Sequence, residues 1–259
     1  MQQPVKPGFG KVTSILLYSD HVETGKKLNR PLGSMEVIII PDMFKNNKMW
    51  ARFKTIQSEL KEKYNDEELF DGKRHGTSHS IIEATSKDLK NSNMKKIHRD
   101  FLGGEWYTKV KERMARFFHD MEVVQDRVNH YAADEHKPAH QDAPANIGTA
   151  AYARQNLTVA ANFGREDNII EFVNIFTGEV ETFNIPGGSV YAFGEGVNLA
   201  FKHAVRKRDH VNIKPTTVET ERISIILWGK VTKPNFYNNS GWEFPNKEKL
   251  EEMKKTALN

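Results

Sequence analysis

The chain of 259 residues contains no cysteine. That excludes disulfides, thiolate nucleophiles, cysteine-ligated zinc and iron–sulfur clusters. No apolar run approaches the ~18 residues needed to cross a bilayer, so no membrane association is expected. The longest candidate, MEVIII at 35–40, has the length of a buried strand. The opening MQQPVKPGFGK lacks the apolar centre of a secretory signal, and an intracellular (cytoplasmic or nuclear) protein is the expectation. Internal repeats and low-complexity segments are absent as well. Neither sign of charge dominates: 38 Lys and Arg face 34 Asp and Glu, for a net charge of +4. An anionic partner is therefore permitted but not required. The basic clusters KNNKMWARFK, KDLKNSNMKK and RKRDH read first as solvated faces.

What is present suffices for one substantial core, since 38% of residues are hydrophobic. TSILLY (13–18) and MEVIII (35–40) read as strands. Met49, Phe53, Ile56 and Leu60 then mark an apolar helical face beginning near Pro41 and Asp42. Trp106, Val110, Met114, Phe117 and Met121 mark a second helix. From residue 122 the pattern changes to short β-rich runs: EVVQDRVNHY, NLTVAANFG, NIIEFVNI, VETFNI, SVYAFG, LAFKHAV and RISIILWG. TGE at 177–179 and PGG at 186–188 are turn signals between them, and Gly187 and Gly188 serve a turn rather than a phosphate. With MEVIII these make eight strands. The expected fold is α+β, a double-stranded β-helix (jelly roll) core with flanking helices. It forms a single domain, 1–259: a mixed N-terminal part (1–121), the jelly roll (122–230) and a tail (231–259).

The chemistry concentrates in VNHYAADEHKPAHQDAPA, residues 128–145. On an extended segment, residues two apart point to one side, so His140 and Asp142 converge. An imidazole nitrogen beside a carboxylate oxygen supplies two neighbouring positions around a metal. His203, in LAFKHAV, is the candidate third ligand. Two histidines and one carboxylate leave open positions and suit non-haem Fe(II) oxygenases. By itself a His-x-Asp pair is weak, and a polar loop rich in histidine is the plain alternative. Asn129 and Tyr131 share a strand face and offer an amide and a phenol. Arg222 opens the last strand with Ser224 on the same face. An inward arginine is costly to bury unless an anion pairs with it. A carboxylate of 2-oxoglutarate, gripped by both arms of a guanidinium, is such an anion.

Taken together, VNHY…HQD, with His140 nine residues after Tyr131, resembles the AlkB-type Fe(II)/2-oxoglutarate-dependent dioxygenases. FNIPGGSVYAFGEGVNLAFKHAV is similar to that family's hairpin before its second histidine, and RISIILWG to its final strand. The resemblance covers residues 122–230. It implies that His140, Asp142 and His203 bind Fe(II). Arg222 and Tyr131 would hold the distal carboxylate of 2-oxoglutarate, and Asn129 and Ser224 would support its other end. Dioxygen would be the second co-substrate, and succinate and CO2 the by-products of hydroxylating or demethylating a substrate. A methylated nucleic acid is one expected substrate; a protein side chain or small molecule is the alternative. A non-catalytic jelly-roll binding module is a third reading, from another class. Two departures stand out. Trp228 sits where many relatives carry a second arginine, six residues after the first, and Trp228 cannot replace a cation. The segment RKRDHVNIKPTTVET (206–220) is extra, either a plain insertion or a substrate-facing loop. His130 falls on the face opposite Asn129, and His136 lies in the loop. Arg74, His75 and His79 belong to a loop before a strand that could form part of a lid.

Overall fold

The computed structural model describes residues 13–17, 34–44, 80–84, 105–131, 137–142, 155–164, 166–207 and 222–232. The strands are β1 (Thr13–Leu16), β2 (Glu36–Ile40), β3 (Ser80–Ala84), β4 (Glu122–Tyr131), β5 (Leu157–Gly164), β6 (Asn168–Asn174), β7 (Val180–Asn184), β8 (Val190–Gly194), β9 (Phe201–Lys207) and β10 (Arg222–Lys230). Among the described residues two helices join them, α1 (Glu105–Phe117) and α2 (Glu195–Ala200). A larger sheet runs β1-β2-β8-β5-β10-β4-β3 and a smaller one β7-β6-β9, every pairing antiparallel. His140 extends the smaller sheet by bridging to His203 on β9. From β4 onward the chain therefore passes to the smaller sheet at His140 and back at β5. It crosses again for β6 and β7, returns at β8, and alternates through β9 and β10. This winding is the jelly roll expected from the sequence.

Period two explains the layers. On β10, Ile223, Ile225 and Leu227 face one side, with Val128, Val159, Ala161 and Phe163 of the neighbouring strands and Ile38 and Ile40 of β2. Helix α1 covers this side with Tyr107, Val110 and Met114, and Phe118 adds to it just past the helix end, all buried. The helix is further tied to β4 by Lys111, whose Nζ lies 2.5 Å from Oδ2 of the buried Asp126. The predicted apolar stripe is displaced at its end, where Phe118 is fully buried and Phe117 only partly. The helix stops at Phe117, and the positive φ of His119 and Asp120 turns the chain back towards the sheet. The helix expected to begin near Pro41 and Asp42 does not start there, since residues 41–44 form a turn and a bend; its remainder and the side chain of Trp106 lie outside the described residues.

The opposite side of the larger sheet faces the smaller one. Ile15, Val37, Ile39, Ala160, Tyr191 and Phe193 meet Ile170, Phe172, Phe183, Phe201 and Val205 there. This second core is apolar toward β1 and β2 and becomes polar along β4, β5 and β10. The register aligns Asn129 with Ser224 and Asn162, and Tyr131 with Arg222. Paired residues share a face, so these polar side chains converge at one end of the space between the sheets.

Helix α2 departs from expectation. LAFKHAV reads as one strand, but its first two residues complete a helix of six. The amides of Gly196 and Val197 donate to the Ser34 carbonyl at 2.9 and 3.3 Å. Gly194 allows that approach, since a Cβ there would lie 2.4 Å from the same oxygen.

Candidate metal centre

His140 and His203 are paired across adjacent segments. Each backbone N–H donates to the other's carbonyl, at 3.1 and 2.8 Å. Directly opposed residues present their side chains on one face, and the two rings lie 4.5 Å apart, centre to centre. Two residues on, Asp142 follows on the same side. Its Oδ1 is 3.8 Å from His140 Nε2 and 3.9 Å from His203 Nε2. One potential ligand atom from each residue lies within 4.8 Å of the others. Metal–donor bonds of about 2.0–2.2 Å can link donors separated by up to about 4 Å, so Asp142 Oδ1 can share an ion with either imidazole as placed, and a small inward turn of the imidazoles brings all three donors onto one ion.

The surroundings assign a role to each ligand atom. Asp142 Oδ2 accepts from Trp228 Nε1 at 2.9 Å and from Thr158 Oγ1 at 3.3 Å. Oδ1 is thereby left pointing at the imidazoles. His140 Nδ1 lies 2.9 Å from the Pro138 carbonyl. That contact selects the tautomer protonated at Nδ1 and leaves the Nε2 lone pair for a metal. Helix α2 holds the segment from behind. Gln141 Nε2 donates to the carbonyls of Asn198 and Leu199, and the Asp142 amide donates to Asn198 Oδ1 at 2.8 Å.

Protonation also favours a cation. Burial, helped by His203 and Lys137, pushes His140 down to about 3. Burial likewise lowers His203. For Asp142, burial alone would raise the carboxyl, but the two imidazoles and the Trp228 N–H outweigh it and hold it below the usual range. Neutral imidazoles around an ionised carboxylate are the protonation state that metal binding requires.

Arg222 is 2% exposed. Its guanidinium carbon sits 3.7 Å over the Tyr131 ring, and an NH group donates to Asn162 Oδ1 at 3.0 Å. No carboxylate ion-pairs with it among the described residues, and its Nε has no partner. Ser224 Oγ, Asn129 Oδ1 and Asn162 Nδ2 are also buried without partners, while Asn129 Nδ2 donates to the Tyr131 hydroxyl at 3.3 Å. A buried cation amid unpaired polar atoms fits an anionic ligand with several oxygens. The protein groups suit the keto diacid as well as the metal.

All seven residues singled out for iron and 2-oxoglutarate line one cleft of about 470 Å³, open mouth included: His140, Asp142, His203, Asn129, Tyr131, Arg222 and Ser224. Sequence reasoning missed Arg127, Lys137, Thr158, Asn162 and Tyr191. Arg127 carried a signal, because the period-two rule puts it on the face of Asn129 and Tyr131; Thr158 and Asn162 join the site through the pairing of β5 with β10, which the sequence does not show. Lys137 lies in a loop and carried none. Arg206, the first residue of the 206–220 segment, faces away from the cleft and pairs with Glu171 at 2.9 Å, because its neighbour Val205 takes the inward direction. The side chain of His130, and His136, Arg74, His75, His79 and residues 208–220, lie outside the described residues.

No family model matches the chain, and no curated protein matches it. Among solved structures it is similar to a prolyl-4-hydroxylase from Pseudomonas putida, with 11% identity and a TM-score of 0.41 over 76% of this chain and 93% of the other. It is also similar to an oxidoreductase of the 2OG-Fe(II) oxygenase family from Burkholderia pseudomallei, with 15% identity and a TM-score of 0.41 over 90% of this chain and all of that one.

Proposed function

We propose that this protein is an Fe(II)/2-oxoglutarate-dependent dioxygenase of AlkB-like type. One observation carries the reading: His140, Asp142 and His203 meet at a point beneath a cleft that also holds the buried, uncompensated Arg222. When bound, iron and 2-oxoglutarate supply dioxygen activation, and the reaction oxidises a substrate C–H bond while releasing succinate and CO2. His140 Nε2, Asp142 Oδ1 and His203 Nε2 would hold the metal. Trp228 and Thr158 fix the carboxylate so that one oxygen faces it. Arg222, flanked by Tyr131 and Asn162, grips the distal carboxylate of the keto acid. Asn129 and Ser224 orient the remainder, and the Phe172 and Phe193 rings, 6.4 and 4.7 Å from His203, keep water from its back.

The AlkB-like assignment rests on motif order and placement. Asn129 and Tyr131 lie on β4, His140 and Asp142 follow, His203 lies on β9 and Arg222 begins β10. Oxidative demethylation of a nucleic acid belongs to that reading. Hydroxylation of a small molecule or protein side chain is favoured instead by the cations inside the cleft. Succinate release from 2-oxoglutarate with Fe(II) tests the reading. It is expected from the wild-type protein and not from His140→Ala or Asp142→Ala. The absence of both metal uptake and turnover would point to a binding module.

A further inference from the structure

The cleft holds more positive charge than the proposed co-substrate removes. Among the described residues, Arg127, Lys137 and Arg222 line it, and Asp142 is the one acidic lining residue. A divalent ion adds two positive charges and a dianionic keto acid cancels two. Two formal positive charges remain.

Those charges sit at the metal end. On β4, Arg127 pairs with Ile226, four residues from the Tyr131–Arg222 pair. At about 3.3 Å per residue, that is about 13 Å along the strands, so the two arginines serve different places. Arg127 lies diagonally beside Trp228, with its guanidinium carbon 5.3 Å from the ring centre. Trp228 in turn donates to the metal ligand Asp142. Lys137, three residues before His140, lines the same end. Among the described residues, no carboxylate lies in ion-pair contact with either cation, and Arg127 Nε is buried without a partner. Burial lowers both groups, and Arg127 also acts on Lys137. Two like charges crowded into a half-buried space are costly unless an anion offsets them.

We propose that Arg127 and Lys137 form a second oxyanion subsite beside the metal, one that takes a carboxylate or phosphate carried by the primary substrate. This rests on the oxygenase reading and names the substrate class for it. The substrate places its anionic group within a side chain's reach of the C–H bond that is oxidised. A neutral methylated base whose phosphates stay outside the cleft leaves the subsite unfilled.

Calorimetry on protein loaded with Mn(II) and saturating 2-oxoglutarate tests this, because Arg222 is then occupied. The probes are inorganic phosphate and acetate. Wild-type protein is expected to bind at least one of them at a single site, and the tighter of the two identifies the anion. Arg127→Met and Lys137→Met should each weaken that binding about tenfold or more, while Arg127→Lys, which keeps the charge but not the planar fork, should lose less than Arg127→Met. Mn(II) uptake by each variant reports that it is folded. Unchanged anion affinity in both methionine variants overturns the subsite. So does an Arg127→Met variant that loses 2-oxoglutarate affinity instead, since the cation then serves the co-substrate. A wild-type protein that takes up neither Mn(II) nor 2-oxoglutarate overturns the oxygenase reading and the substrate assignment with it. Uptake of both with no anion binding overturns the assignment alone.

Discussion

Asp142 is the residue on which the centre turns, because its two oxygens face different tasks. Oδ2 is held by Trp228 and Thr158, and Oδ1 looks toward both imidazoles. Groups that orient a ligand in this way typically matter by ~10–100-fold in metal affinity. Trp228→Phe keeps the ring and removes the N–H, so Mn(II) affinity should fall within that range. A Trp228→Phe protein that binds Mn(II) like the wild type would show that the indole does not position the carboxylate. Arg222 invites a parallel test. Arg222→Met leaves the metal ligands intact and removes the charge at the far end of the cleft. Loss of a buried charge partner costs roughly 2–5 kcal/mol. The expectation is therefore about 30-fold or greater loss of 2-oxoglutarate affinity with Mn(II) affinity little changed, read by calorimetry. Equal 2-oxoglutarate affinity in both proteins would remove Arg222 from the site. Much at this scale was legible in the sequence. Alternation carried Asn129 and Tyr131, and the same rule, run two residues further back, reaches Arg127. The Trp228–Asp142 bond was not legible, since it joins residues 86 positions apart, one on β10 and one in the segment after the His140 bridge.

At the scale of elements, the short helix α2 links the ligand segment to the rest of the fold. Its Asn198 receives the Asp142 amide, and its last turn receives Gln141. Nothing in EGVNLA announces a helix. Val197 and Leu199 alternate as a strand would, and the helical turn is fixed by a distant carbonyl, that of Ser34. Remote contacts of this kind are invisible to local pattern. Gly194→Ala places a methyl against that carbonyl. It should displace α2 and weaken Mn(II) binding through Asp142, although residue 194 touches no ligand. Unaltered Mn(II) affinity in a folded Gly194→Ala protein would mean that α2 does not hold the ligand segment. Helix α1, by contrast, was legible from its apolar spacing and is needed for stability. Met114 is fully buried between α1 and the larger sheet. Its replacement by alanine should cost ~2–5 kcal/mol in chemical denaturation. A loss under about 0.5 kcal/mol would place the helix outside the cooperative core.

Across the whole molecule, two cores divide the labour. The layer between α1 and the larger sheet is apolar and holds the domain together. The layer between the sheets is apolar at one end and gives way to charge at the other. That division follows from which strand residues face which way, and the alternation of EVVQDRVNHY, NIIEFVNI and RISIILWG made it readable. The pairing of sheets was less so, because strand order depends on contacts between distant segments. The polar end makes the metal-free protein sensitive to acid. His140 and His203 have lowered pKa values in the folded state, against an ordinary value of 6.5. As pH falls below about 6.5, the unfolded chain binds protons that the folded chain refuses, so stability declines. Each group contributes at most ~1.4 kcal/mol per pH unit over that window. The urea midpoint of metal-free protein should therefore be lower at pH 5 than at pH 7, and His203→Leu should reduce the difference. Equal midpoints at the two pH values would contradict the buried, neutral state of these imidazoles.

Diffraction from a crystal soaked anaerobically with Fe(II) and 2-oxoglutarate, recorded at the iron absorption edge, tests the central claim most directly. The account predicts one strong anomalous peak about 2.0–2.2 Å from His140 Nε2, Asp142 Oδ1 and His203 Nε2, with a keto-acid carboxylate on Arg222. An iron peak elsewhere, or none under conditions where the crystal remains ordered, would contradict it.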